Sequence, residues 1–343
     1  MRFFEKYLLI LVVFIAITTT ISGQGYTKPL FADDDVVPCS LSIHFDSLQD
    51  DDCKNPKRFE ALFSYTYAGI SESYQIGVKK RGKFRCESSS CVFPPLWLNF
   101  AKKQTKTGLF KDQDKLKLVN SCRLKSDNFQ NLLFKEYLSY RILNLLTDYS
   151  LKVRLLKITY INTANDSDSL SRYGFVIEQP EDMALRTKAN LLKATNVHPN
   201  EFDRKHMTLI DLFEFMIGNT DWSTTEPHNI LIVSTNPFEK PLPVPYDFDW
   251  SGLVNAPYAV PMESLGLSSV TERLYMGFCR TPEEYKQAFE VFNQKKDSIY
   301  NLIQHFEYLP LKERNSMIRY LDGFFQIINS RNSAEKIFQN WCK

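Results

Sequence analysis

The periodicity of the apolar residues changes once, near residues 178–180, and this change constrains the fold more than any other feature of the chain. Before it, short stretches alternate apolar and polar: Ser40-Leu-Ser-Ile-His-Phe, Ala61-Leu-Phe-Ser-Tyr-Thr-Tyr and Tyr74-Gln-Ile-Gly-Val-Lys-Lys, the last running into Arg81-Gly82. Phe93-Pro-Pro-Leu-Trp-Leu-Asn-Phe, Lys115-Leu-Lys-Leu-Val-Asn and the segments 153–160 and 174–178 read as further strands. One helix interrupts them over 129–146, with Phe134, Leu138, Ile142 and Leu145 at helical spacing. After Pro180 the spacing predicts helices over 183–195, 205–217, 283–306, 310–329 and 332–341. A strand-rich half before a helix-rich half predicts an α+β chain in two lobes, with the boundary near 178–180.

The first residues predict export. Arg2 and Lys6 flank the start of an apolar stretch over 7–17, and small polar residues follow up to Gly23. This is the pattern of a secretory signal peptide over 1–23, too short for a comfortable membrane span. No later run is apolar enough to cross a bilayer, so no stable membrane insertion is expected after cleavage. Periplasm, cell surface and medium all stay open as destinations. Residues 24–38 read as a flexible N-terminus, 39–178 as the strand-rich, nucleotide-binding lobe and 179–343 as the helical lobe. The runs Asp33-Asp-Asp35 and Asp50-Asp-Asp52 lack the spaced ligands of a calcium site and read as solvated loop.

Seven cysteines in an exported chain imply disulfides, and the odd number leaves a free thiol or an intermolecular bond. Cys86 and Cys91, close together in a serine-rich turn, are the expected pair. There is no C-x-x-C, and the five histidines lack H-E-x-x-H spacing, so nothing supports zinc. A net charge of +2 sets nucleic acid aside as the main partner.

Chemistry concentrates in residues 209–252. An apolar run over 209–217 reads as a buried helix ending in a Gly218-Asn219 turn that presents Asp221. A polar loop leads to Asn229, a short β-type run covers 230–233, and a second β-edge delivers Asp247 and Asp249. One Asp in a loop, an Asn after it and an Asp after a hairpin is how phosphoryl-transfer enzymes hold a base and a divalent metal. Upstream, a strand lysine and a helix glutamate complete the protein-kinase arrangement of parts. Lys115 and Lys117 share one face of their strand, and a period of two does not choose between them. Glu136 is the only glutamate in 129–146. Plainer readings stand beside these. Gly-Asn-x-Asp is good turn chemistry in itself, Lys117 and Glu136 also fit an ordinary surface pair, and Arg81-Gly82 also fits a hairpin turn. His228 reads as a loop histidine bonded to backbone. The aromatic residues of the last helices, Phe289 to Phe325, read as core, and Asn165-Asp-Ser matches a glycosylation sequon.

Seven pieces follow one another along the chain: Lys79-Lys-Arg-Gly-Lys-Phe-Arg, Lys115-Leu-Lys-Leu-Val-Asn-Ser-Cys, Leu133-Phe-Lys-Glu-Tyr-Leu-Ser-Tyr, Gly174-Phe-Val-Ile-Glu-Gln-Pro-Glu-Asp-Met, Ile217-Gly-Asn-Thr-Asp-Trp, Pro227-His-Asn and Pro245-Tyr-Asp-Phe-Asp-Trp. In this order the chain resembles exported bacterial proteins related to the CotH-like spore-coat kinases, distant relatives of the secretory-pathway and HipA-type kinases. The resemblance implies a two-lobed protein-kinase-like fold, with ATP and Mg²⁺ or Mn²⁺ as cofactors. It implies phosphoryl transfer to a hydroxyl of a protein or glycan acceptor. Lys117 would then contact the nucleotide phosphates, paired by Glu136, and Glu178 would sit at a hinge beside the adenine. Asp221 would be the catalytic base or hydroxyl-orienting carboxylate, and Asn229 and Asp247 would bind the metal. Arg81 and Gly82 would belong to a basic loop over the phosphates.

Two departures stand out. Asn229 follows Asp221 by eight positions, against about five in the kinase catalytic loop. Asp247-Phe-Asp249 replaces D-F-G, with Asp249 a second ligand or a structural acid. The longer loop also fits a pseudokinase that serves as an extracellular binding or scaffold module. A third reading keeps the nucleotide site but transfers a nucleotidyl or other group.

Overall fold

The strand-rich half closes on itself. The computed structural model describes residues 26–82, 84–87, 91–164, 169–194, 196–339 and 342. Its first half holds β1 (Val37–Ile43), α1 (Phe45–Gln49), β2 (Phe59–Tyr67), β3 (Ile70–Lys80), α2 (Phe84–Glu87), β4 (Leu96–Asn99), β5 (Lys115–Asn120), α3 (Asp127–Leu146), β6 (Val153–Asn162) and β7 (Ser169–Ile177). The seven strands form a closed barrel in the order β1-β2-β3-β4-β5-β7-β6. Six of the seven pairings are antiparallel. The seventh, β1 with β6, is parallel, with Val37 opposite Leu156 and Ile43 opposite Asn162, and it closes the ring. Closure leaves no free sheet edge, which removes the row of unpaired amides that an open sheet must cover.

Side chains fill the barrel. Phe63, Tyr65, Tyr74, Phe100 and Phe110 form an aromatic cluster with ring centroids 4.9–6.2 Å apart. Leu41, Ile76, Val78, Leu98 and Leu116 pack in the same core. A small barrel filled in this way is a packed core rather than a channel.

The second half is mixed. It holds α4 (Pro180–Arg186), β8 (Asn190–Leu191), α5 (Arg204–Ile217), β9 (Ile230–Ser234), β10 (Leu242–Pro245), α6 (Pro282–Gln304), α7 (Leu311–Ile328) and α8 (Arg331–Ala334), which runs into a π-helical turn over Glu335–Gln339. β10, β9 and β8 form a separate antiparallel sheet. Thr281 caps α6 through a capping box with Glu284, with proline at the first helical position.

The expected two-lobed, protein-kinase-like fold with a helical second lobe is therefore corrected. The first half is a closed seven-stranded barrel, and the second carries its own three-stranded sheet among the helices. The physical reason lies in β6 and β7, which are apolar on both faces. Leu156, Ile158, Tyr160 and Val176 point into the barrel. Val153, Leu155, Phe175 and Ile177 point outward into a core that α3 shares with α5, α6 and α7. There Phe134 of α3 packs on Phe306 and Tyr308, beyond α6, at ring distances of 5.5 and 6.4 Å.

Other expectations change as well. Residues 29–31 form a 3-10 turn whose Leu30 and Phe31 are buried, so this part of the expected flexible N-terminus is packed. Asp33 and Asp34 are not simply solvated, since they pair with Arg154 and Arg141. The helix expected over 183–195 is the shorter α4, followed by β8. Cys86 does not pair with Cys91. The disulfides are Cys53–Cys86, Cys91–Cys122 and Cys279–Cys342, and Cys39 is a buried thiol. The backbone explains part of this, because the N–H groups of Val92 and Phe93 both bond to the carbonyl of Cys122 and hold Cys91 beside it. Three disulfides are compatible with an exported protein. No helix among the described residues is long and apolar enough to cross a membrane. The expected signal peptide and the Asn165 sequon lie outside the described residues.

Candidate functional site

The loop that follows α5 builds one wall of a cleft of about 700 Å³. Gly218 terminates the helix in left-handed backbone (φ 67°), and a Cβ at this position would collide with the hydroxyl of Tyr320. The next turn is held by Asn219, whose Oδ1 accepts the Asp221 N–H at 3.1 Å. The loop from Asp221 to Asn229 then folds back on itself. Ser223 and His228 exchange both backbone hydrogen bonds at 3.0 Å, which returns Asn229 to Asp221 despite the eight-residue spacing. The Asn229 amide donates to the Asp221 carbonyl at 2.8 Å and to its Oδ2 at 3.0 Å.

His228 corrects the reading of a loop histidine bonded to backbone through its ring. Its Nε2 lies 3.0 Å from Asp221 Oδ1. Burial raises the Asp221 pKa above the ordinary carboxylate value, and His228 and Asn229 pull it back.

Asp247 enters from the far side. β10 has already ended, and both Asn229 (φ 52°) and Asp247 (φ 67°) adopt left-handed backbone. Such conformations cluster at functional sites, where the surrounding structure holds them. Here the Asp247 N–H donates to the buried Tyr140 hydroxyl at 2.8 Å, and the Tyr246 N–H donates to the Asn229 carbonyl at 3.0 Å. Asp221, Asn229, Asp247 and Asp249 line the cleft together with Arg81, Gly82 and Arg85.

Lys117 and Lys115 separate in space. Lys115 is exposed, with its ammonium 3.8 Å from the Trp97 ring centroid. Lys117 is more enclosed, 5.1 Å from the Tyr246 ring and 5.7 Å from that of Trp97. Burial depresses its pKa, the neighbouring Arg81 adds to the effect, and Asp247 opposes it.

Glu136, on α3, is paired with Arg85 rather than with a lysine. Arg85 Nη2 lies 3.0 Å from Glu136 Oε2 and its Nε 3.0 Å from Asp249 Oδ2, while Asp247 Oδ1 is 3.9 Å away. Glu178 is turned away from the cleft. Its carboxylate accepts two bonds from Arg186, at 3.0 and 2.9 Å, and one from the Lys152 N–H at 3.0 Å, which braces the end of the barrel against α4.

Arg85 is the residue that sequence reasoning passed over. It closes the basic run Lys79-Lys-Arg-Gly-Lys-Phe-Arg, and charge density in that run was the signal available. Which carboxylates it would meet depends on the Cys53–Cys86 disulfide, which spacing does not reveal.

The donor set fits a divalent cation. Carboxylate oxygens of Glu136, Asp247 and Asp249 lie within 4.8 Å of one another, while Arg85 brings one positive charge. Burial pushes Glu136 up to about 8 and Asp249 up to about 6, with Arg85 pulling both down. Glu136 Oε1 is buried without a hydrogen-bond partner among the described residues. Hard oxygen ligands of this kind suit Mg²⁺ or Mn²⁺.

No family model matches the chain, and no curated protein matches it either.

Proposed function

We propose that the cleft is a phosphoryl-transfer site in an exported protein, using ATP and Mg²⁺ or Mn²⁺ to modify a hydroxyl on a protein or glycan. The observation that carries this reading is the meeting of Asp221, Asn229 and Asp247 in one cleft with Arg81 in its wall. In this reading Asn229 and Asp247 hold the metal, with Asp247 shared between it and the buried Glu136 and Asp249 that Arg85 already pairs, and Arg81 and Lys117 face the phosphates. A bound divalent cation would neutralise phosphate charge. Asp221, already oriented by His228 and Asn229, accepts a hydrogen bond from the acceptor hydroxyl and aims it. Its pKa, raised by burial, makes it a better proton acceptor than an ordinary exposed carboxylate. The motif-level likeness to the CotH-like kinases supports the same chemistry, without the two-lobed fold.

The test is incubation of the purified protein with Mn²⁺ or Mg²⁺ and γ-labelled ATP, beside Asp221→Ala and Asp247→Ala. Label on the wild type, reduced at least about a hundredfold in either variant, is the expected result. Equal labelling by a well-folded Asp247→Ala variant would sink the assignment. A second reading, a nucleotide-independent binding or scaffold module, is favoured by one contact: Arg85 already bridges Glu136 and Asp249. Thermal-shift titration separates the two, because a ligand that binds only the folded state raises its stability. A shift with Mn²⁺-ATP supports the enzyme, and none supports the scaffold.

A further inference from the structure

We propose that Arg85 is an internal counter-cation that competes with the divalent metal for Asp247 and so sets the metal affinity of the cleft. This inference rests on the metal site of the proposed function. Among the three carboxylates around Arg85, Asp247 is the most loosely paired, at 3.9 Å against 3.0 Å for the other two. It is also the most open to solvent, with its side chain 43 % exposed against 2 % for Glu136 and 7 % for Asp249. A cation arriving from the cleft therefore meets Asp247 first. It then stands a few ångströms from a guanidinium held by two ion pairs, and like charges at that range in a half-buried site repel strongly.

α2 is built to keep the guanidinium in place. Phe84 packs edge-on against Trp250 at 5.1 Å and near Tyr258 at 5.9 Å. The Tyr258 hydroxyl in turn donates to Asp249 Oδ2 at 3.0 Å, the same oxygen that Arg85 bonds. On the other side of Arg85, the Cys53–Cys86 disulfide ties α2 to the loop before β2. Arg85 is thus flanked by an aromatic contact and a covalent one. Only the aromatic contact is readily released, because Phe84 is 44 % exposed where it packs. Metal binding and the intact Phe84 contact oppose each other, and the coupling is reciprocal: whatever loosens α2 tightens the metal.

The experiment measures Mn²⁺ binding to the full chain, without nucleotide, by the electron paramagnetic resonance signal of free Mn²⁺. Arg85→Gln keeps the side-chain size but removes the charge, and is expected to bind Mn²⁺ about tenfold more tightly. Arg85→Lys restores the charge and brings the affinity back toward that of the wild type. Phe84→Ala leaves every charge in place and frees α2 at an exposed position, so it tests the same idea if Arg85→Gln fails to fold. It is expected to tighten binding about threefold. A loss that was merely structural would weaken binding instead. Equal or weaker binding in the folded variants overturns the role of Arg85 while leaving the metal site standing. Absence of Mn²⁺ binding in the wild type and every variant overturns both.

Discussion

Asp221 has both carboxylate oxygens engaged, Oδ1 by His228 and Oδ2 by Asn229, so its orientation is set before any acceptor arrives. Behind it lies Glu214, 1 % exposed, with Asp211 and Asp221 as its acidic neighbours and Asn219 as its polar one. Arg280 lies 3.8 Å from Asp211 and leaves Glu214 without an ion-pair partner among the described residues. Burial pushes Glu214 from an ordinary 4.5 up to about 8; Asn219 pulls it back, and Asp211 and Asp221 raise it further. The folded state therefore holds this proton more tightly than the unfolded chain does. The resulting stability is fully present below the unfolded value of 4.5 and is lost as pH rises to about 8. Glu214→Gln keeps the shape and removes the titration. At pH 8 it should be more stable than the wild type by about 2–4 kcal/mol, and its melting temperature should fall less between pH 5 and 8. Parallel pH profiles for the two proteins would show that Glu214 is not a buried neutral acid.

At the scale of elements, the end of α5 fixes the geometry of the cleft. Gly252 N–H bonds to the Gly218 carbonyl at 3.0 Å and Leu253 N–H to the Ile217 carbonyl at 2.9 Å, sewing the helix end to the segment after Asp249. Gly218→Ala would place a Cβ against the Tyr320 hydroxyl in backbone that an L side chain resists. The expected loss is about 2–4 kcal/mol. Adding Tyr320→Phe should recover part of it, because the clash is with the hydroxyl, which is buried and unpartnered among the described residues. Chemical denaturation of the single and double variants measures this, and a double variant no more stable than Gly218→Ala would place the whole loss in the backbone. This turn was legible because Gly-Asn-x-Asp encodes its own conformation within four residues. The same held for α5, α6 and α7, whose apolar spacing lies within each helix. The partner of Glu136 was not legible, because Arg85 reaches it from α2, 51 positions earlier, on a segment whose place depends on a disulfide.

For the whole molecule, the decisive contacts are distant in sequence. Alternation revealed the strands, but it carries no information on which strand neighbours which. The barrel closes where β1 meets β6, and just beyond that seam the Phe45 N–H reaches Asn162 Oδ1 from 117 positions away. The one local hint of a shared wall was the run Val153-Arg-Leu-Leu, buried at every position, where a strand with one solvated face would alternate. Because β6 and β7 serve the barrel on one face and the helical core on the other, the two halves should unfold together. Phe134, 2 % exposed, tests this from α3, where it touches Tyr173 on the barrel wall at 5.2 Å and Phe306 after α6 at 5.5 Å. Phe134→Ala should destabilise by about 3–5 kcal/mol. With the disulfides intact, calorimetry should show one transition that moves as a whole. Two lobes with separate cores would instead give two transitions, with the variant shifting only the one that contains α3, and that result would refute a shared wall.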